Sequence, residues 1–164
     1  MKLKESNDVF DRQSISEIMG ISVSTKHDNL DRCLDFIAKY FPTPIQVKDL
    51  AKASGMSTQG LAYAFDKHLG LSPGVVLRRV RIEYAKRLLV EQDLKLNEIA
   101  QRCGYRSVNS LWIAFQNATG LSPKKFQRRY WLMTCRYYQE VGISPAISNR
   151  FLPQRKPVRI EKYL

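Results

Sequence analysis

With 164 residues, 44% of them hydrophobic and 26% charged, the chain has the composition of an ordinary folded protein and length for one substantial domain or two small ones. Its formal net charge of +12 favours encounter with polyanions, which makes nucleic acid or an anionic membrane surface the natural partners. No apolar run approaches the ~20 residues that cross a bilayer and the start lacks the core of a secretory signal, so a cytoplasmic protein without a membrane partner is expected.

Three cysteines, Cys33, Cys103 and Cys135, are odd in number and far apart. They form no C-x-x-C pair or Cys/His ligand set, so each is expected to pack as a small apolar residue in a reducing compartment, with no metal. His27 and His68 stand alone in the sequence, without a nucleophile–base–acid set or a phosphate loop. Neither an enzyme nor a cofactor is expected.

Residues 1–27 read as a polar N-terminal extension, in which Ser14-Ile15-Ser16-Glu17 has capping-box spacing ahead of a short helix through Ile18 and Met19. Helical periodicity becomes clear from Asp28. Leu30, Leu34, Ile37 and the pair Tyr40 and Phe41 share one face of a helix that Pro42 and Pro44 terminate. Beyond it, short helical patterns alternate with glycine and Ser-Pro turns, and no segment alternates as a strand would. The chain reads as all-α.

An internal repeat then organises the chain. Val47-Lys-Asp-Leu-Ala-Lys-Ala-Ser-Gly55, continuing through Leu61 and Phe65 to Gly70-Leu-Ser-Pro73, returns as Leu96-Asn-Glu-Ile-Ala-Gln-Arg-Cys-Gly104, continuing through Leu111 and Phe115 to Gly120-Leu-Ser-Pro123. The offset is 49 at the glycines and 50 at the phenylalanines, so one residue is inserted in the second turn, just after Tyr105. In each copy an alanine, Ala51 or Ala100, precedes the glycine by four residues. A small side chain lets two helices approach, and glycine accepts the left-handed turn between them. A hydroxyl N-cap, Ser57 or Ser107, opens the next helix, which buries Leu61 and Phe65, or Leu111 and Phe115, at i and i+4. This is the pattern of the helix-turn-helix, whose second helix enters the DNA major groove.

The expected architecture is two helix-turn-helix subdomains joined by a long central helix, with a helical, basic C-terminal extension. The units span 47–72 and 95–121 and the central helix 73–90, within a DNA-binding domain over 28–130. Pro73 suits the first turn of the central helix, and Val76, Leu77, Val80, Tyr84, Leu88 and Leu89 supply its buried face. A helix of this length spaces two units for successive major grooves, ~34 Å apart. The extension, 131–164, follows a helix carrying Phe126, Tyr130, Met133 and Tyr137 on one face and turns irregular after Gly142, with Pro145, Pro153 and Pro157. Residues 121–164 hold ten Lys or Arg against two acids, which suits a tail that grips phosphates or docks on another protein.

From Leu30-Asp-Arg-Cys-Leu-Asp-Phe-Ile to Ser122-Pro-Lys-Lys-Phe126 the chain resembles the C-terminal DNA-binding domain of the AraC/XylS family. The most specific parts are Leu77-Arg-Arg-Val-Arg-Ile-Glu-Tyr-Ala-Lys-Arg-Leu-Leu89 and Glu98-Ile-Ala-Gln-Arg-Cys-Gly-Tyr105. The resemblance implies seven helices in two subdomains and double-stranded DNA binding by a transcription activator or, in some members, a repressor. It further implies a short member without a sensor domain, or a fragment of a longer regulator.

With Leu61 and Phe65 inward, Thr58, Gln59, Ala62 and Tyr63 point outward on the first recognition helix, and Arg106, Val108, Asn109, Trp112 and Ile113 on or beside the second. The resemblance implies base or groove contacts at Gln59, Ala62, Tyr63, Val108, Asn109, Trp112 and Ile113. Many members carry arginine at the positions of Tyr63 and Ile113, so A·T-leaning or apolar readout is expected here. Lys48, Lys67, Arg78, Arg79, Arg81, Arg106, Lys124, Lys125 and Arg128 are the candidate phosphate contacts. A rival reading has the same fold dock on RNA polymerase or another regulator with weak DNA contact. Two units in one chain let a monomer span a site, so dimerisation is not required.

Overall fold

A computed structural model describes residues 12–19, 27–91 and 94–141. Among these residues the chain is all-α, in the order α1 (Arg12–Met19), α2 (Asp28–Tyr40), α3 (Val47–Ser54), α4 (Thr58–Leu69), α5 (Pro73–Glu91), α6 (Leu96–Arg102), α7 (Val108–Thr119) and α8 (Pro123–Glu140). α1 begins at Arg12, so Ser14 lies inside the helix rather than capping it. It packs on α2 and α5, and Ile15 is fully buried there.

α2 forms because Leu30, Cys33, Leu34 and Ile37 recur on one face and Asp28 and Asp31 complement the positive end of its first turn. Phe41 extends the stripe into the core. Tyr40 does not: it lies ~100° round the helix from Phe41, is 37% exposed, and rests its ring against Phe36 at 4.5 Å between centroids.

Both copies of the repeat fold alike. Asp49 Oδ2 accepts the Gln46 N–H at 2.7 Å and Glu98 Oε2 accepts the Lys95 N–H at 2.7 Å, fixing the starts of α3 and α6. At their ends Gly55 and Gly104 adopt φ of 70° and 73°. The following N–H groups, of Met56 and Tyr105, reach back to the carbonyls of Ala51 and Ala100 at 3.0 and 2.9 Å. These are the crossed bonds of the left-handed helix ending, and glycine occupies its left-handed position without Cβ strain. Ala51 and Ala100 are buried at the helix contact.

Two apolar cores result. Leu30, Leu34, Ile37, Leu50, Leu61 and Phe65 centre the first, and Ile99, Leu111 and Phe115 the second. α5 serves both, Val76, Leu77 and Val80 entering the first and Ile82, Ala85, Leu88 and Leu89 the second. The single buried face expected of this helix is therefore incomplete. Ile82 and Ala85 are buried as well, and Tyr84 is only half-buried, packed against both cores. The two cores lie on different sides of one helix, which smears its apolar periodicity.

α8 docks by its first turns. Phe126 meets Phe115 edge to face at 5.3 Å, and Gln127 Nε2 donates to the Leu89 carbonyl at 2.5 Å. Farther along, Tyr130, Met133 and Tyr137, expected with Phe126 on one face, are exposed, as are Leu132 and Val141. The irregular tail after Gly142 lies outside the described residues. No helix among them is long and apolar enough to cross a membrane.

Candidate nucleic-acid interface

Each recognition helix is held by one cap and two core anchors. Ser57 Oγ accepts the Gly60 N–H at 3.0 Å at the start of α4, and Ser107 Oγ accepts the Ser110 N–H at 3.1 Å at the start of α7. Leu61 and Phe65, and likewise Leu111 and Phe115, are fully buried. Anchoring one face leaves the opposite one in solvent. Thr58, Gln59 and Ala62 are exposed on α4 with Tyr63 at 67%, and Asn109 is exposed on α7 with Trp112 at 40% and Ile113 at 47%.

Val108 departs from this stripe. It stands three residues before Leu111 and seven before Phe115, which places it on their side, and it is half-buried against the second core. Gln116, which sequence reasoning had passed over, is exposed on the Asn109–Trp112–Ile113 side. Its signal was available, for it lies seven residues from Asn109 and answers to Asp66 in the repeat.

The basic residues divide into two groups. Lys48, Lys67, Arg78, Arg79, Arg106, Lys124, Lys125 and Arg128 are exposed, and Lys67 Nζ sits 5.8 Å from the Tyr63 ring centroid. Arg81 is turned inward. Its Nε donates to the Phe41 carbonyl at 3.0 Å, and its Nη2 donates to those of Thr43 at 2.6 Å and Ile45 at 3.2 Å. The guanidinium carbon lies 5.7 Å from the Tyr105 ring centroid. Burial lowers the Arg81 pKa, while Tyr105 and Cys103 beside it act the other way. Three carbonyls engage the side chain that the sequence suggested for a phosphate.

Cys33 and Cys103 are free, buried thiols pushed up to about 12 by burial. The side chain of Cys135 lies outside the described residues. His27 and His68, solitary in sequence, meet in space with rings edge to face at 5.4 Å. Among the described residues no three His, Cys, Asp or Glu side chains converge as metal ligands.

Residues 50–129 match a family model described as a helix-turn-helix domain. Over 125 residues the chain is 26% identical to a probable transcriptional regulator, LumQ, of Photobacterium leiognathi, covering 76% of this chain and 46% of LumQ. Over 95 residues it is 26% identical to the lactose operon transcription activator of Staphylococcus xylosus, covering 58% of this chain and 34% of that protein. The chain thus spans less than half the length of these relatives. Its fold is similar to the DNA-binding domain of AdpA, a global transcriptional factor crystallised with a target DNA, at 29% identity and a TM-score of 0.60, covering 63% of this chain and 93% of that one. The repeated anchors, caps and glycine turns agree with these likenesses: the double helix-turn-helix of this chain belongs to the AraC-type family of DNA-binding domains.

Proposed function

We propose that the chain regulates transcription by binding duplex DNA sequence-specifically, with α4 and α7 in successive major grooves on one face of the helix. The observation that carries this reading is the duplication itself. Two helices of the same build, held by the same cap and the same two anchors, present matching stripes to solvent.

In this reading Gln59 and Asn109 pair bidentately with adenine, while Ala62 and Ile113 contact thymine methyls. Thr58, Tyr63, Trp112 and the exposed edge of Val108 complete the groove surface. Lys48, Lys67, Arg78, Arg79, Arg106, Lys124, Lys125 and Arg128 hold phosphates and set position without reading sequence. Arg81 is left out of that set because its Nε and Nη2 are already engaged by three backbone carbonyls. The activator among the relatives supports activation as the sign of regulation. Exposed Tyr130, Leu132 and Met133 on α8 favour a second contact, with RNA polymerase or another protein.

Selection from a randomised duplex library followed by footprinting tests this. Two protected patches about one helical turn apart are expected, with Gln59→Ala or Asn109→Ala each weakening binding roughly 5- to 100-fold. No enrichment, with binding lost at modest salt, would transfer the role to protein docking.

A further inference from the structure

The substantial helix contacts among the described residues lie within one unit, α1–α4 or α6–α8, or else run through α5. A connecting helix fixes the distance between two bodies, but a long helix still curves and the side chains packed on it can shift, which leaves the angle between the bodies some freedom. A direct contact between the units restricts that freedom, and among the described residues such a contact lies beside the middle of α5.

There the loop 41–45 of the first unit meets the turn 103–105 of the second. Arg81 is wedged at the junction: its Nε and Nη2 hold the carbonyls of Phe41, Thr43 and Ile45 on the side of the first unit, while its guanidinium carbon lies over the Tyr105 ring of the second, 5.7 Å from the centroid. The backbones approach so closely that a Cβ on Gly104 would collide with the Phe41 carbonyl oxygen and come within 2.6 Å of that of Thr43. One turn along α5, Tyr84 sets its ring edge to face on Phe41 at 5.1 Å. A planar fork spreads its donors over separated carbonyls while its cationic carbon stays over a ring, whereas the donors of a lysine ammonium all radiate from one nitrogen.

We propose that Arg81, seated against Gly104, is a positioning residue that fixes the angle between the two recognition helices and so the half-site spacing the protein accepts. The inference rests on the two-groove reading above and adds to it the device that sets the register. One base pair inserted between half-sites rotates one about the duplex axis by roughly 34–36° relative to the other, which a rigid pair of helices cannot follow.

The test compares the full chain with Arg81→Gln and Arg81→Lys on duplexes whose half-sites are at the selected spacing or one base pair closer or farther. For the unsubstituted protein the misspaced sites should bind at least ~10-fold more weakly, the effect of a mismatched position. In both variants that penalty should shrink to within about threefold, while the salt dependence at the selected spacing is unchanged because no phosphate contact is lost. A lysine variant that keeps full spacing discrimination would make Arg81 a charge donor and overturn the proposal. So would both variants discriminating like the parent. If the parent itself ignores spacing or binds no paired site, the two-groove reading fails first.

A second measurement stands apart from DNA and from the folding of the variants. Spin labels at Lys67→Cys and Gln116→Cys, in a Cys135→Ser background, report the distance between α4 and α7 in free protein. A narrow distribution is expected with Arg81 present, and a broad one overturns the proposal.

Discussion

Gly104 lies in the second helix-turn-helix unit and Phe41 at the end of α2, ahead of the first, yet a Cβ on Gly104 would collide with the carbonyl oxygen of Phe41. Gly55, the equivalent glycine of the first unit, has nearly the same positive φ but nothing within 4 Å of its Cβ position. The same substitution therefore asks two different questions. Gly55→Ala meets only left-handed strain, about 1 kcal/mol. Gly104→Ala adds a collision with backbone that cannot move aside like a side chain, and should destabilise by about 3 kcal/mol. Urea unfolding midpoints check this, and equal losses at the two sites would contradict the close approach.

The capping serines give a second expectation. Ser57→Ala and Ser107→Ala each remove the acceptor for a free N–H in the first turn of a recognition helix, at Gly60 and Ser110. Each should cost about 1 kcal/mol in thermal or urea unfolding, with threonine restoring most of it.

Cys33 and Cys103 should be inert in the folded protein. Their pKa values of about 12, against a usual 9.0, leave almost no thiolate at pH 8, so disulfide reagents should modify them only at the rate of unfolding. The linkage has a definite sign. A folded-state pKa above the unfolded value means that the unfolded chain loses these protons first, so their contribution is complete below pH 9 and declines as pH rises toward 12. Tyr105, raised from 10.0 to about 12 by burial, acts in the same direction. Urea midpoints measured from neutral to alkaline pH should be flat first and fall afterwards. Midpoints that rise with pH would contradict the burial of all three groups.

At the start of α8, Lys124, Lys125 and Arg128 are the proposed phosphate contacts. Replacing any one with alanine should lower the slope of log affinity against log salt by about 1, and should weaken selected and scrambled duplexes alike. A change in sequence preference would instead place that side chain at a base edge.

Trp112→Ala should separate stability from recognition. The indole is 40% exposed, so the change should shift unfolding by under about 1 kcal/mol while DNA affinity falls. A large loss of stability with unchanged binding would make Trp112 a packing residue.

Much of this molecule can be read within short windows of sequence. A serine cap acts on a residue three positions on, a glycine ending closes over six, and Leu61 with Phe65 or Leu111 with Phe115 spans one turn. Such features depend on backbone geometry and helical period alone, so the all-α class, the two units and the outward stripes of α4 and α7 were legible. Even the half-burial of Val108 follows from its phase with Leu111, although Thr58 in the same phase of α4 is exposed.

What lay beyond reach joins distant positions. Arg81 bonds to residues 36 to 40 positions away, and although it stands four residues after Leu77 and three before Tyr84, in phase with the buried face, that phase does not tell which carbonyls it meets. Ile82 and Ala85 escaped notice because α5 faces two cores at different angles, and His27 met His68 only once α2 and α4 had packed. The sequence by itself determined the caps, turns and anchors of each unit, since these are local hydrogen-bonding and periodicity problems. How the two units are held against each other was decided only by the tertiary structure, because it depends on the juxtaposition of the Phe41–Ile45 carbonyls, the Gly104 backbone and one guanidinium.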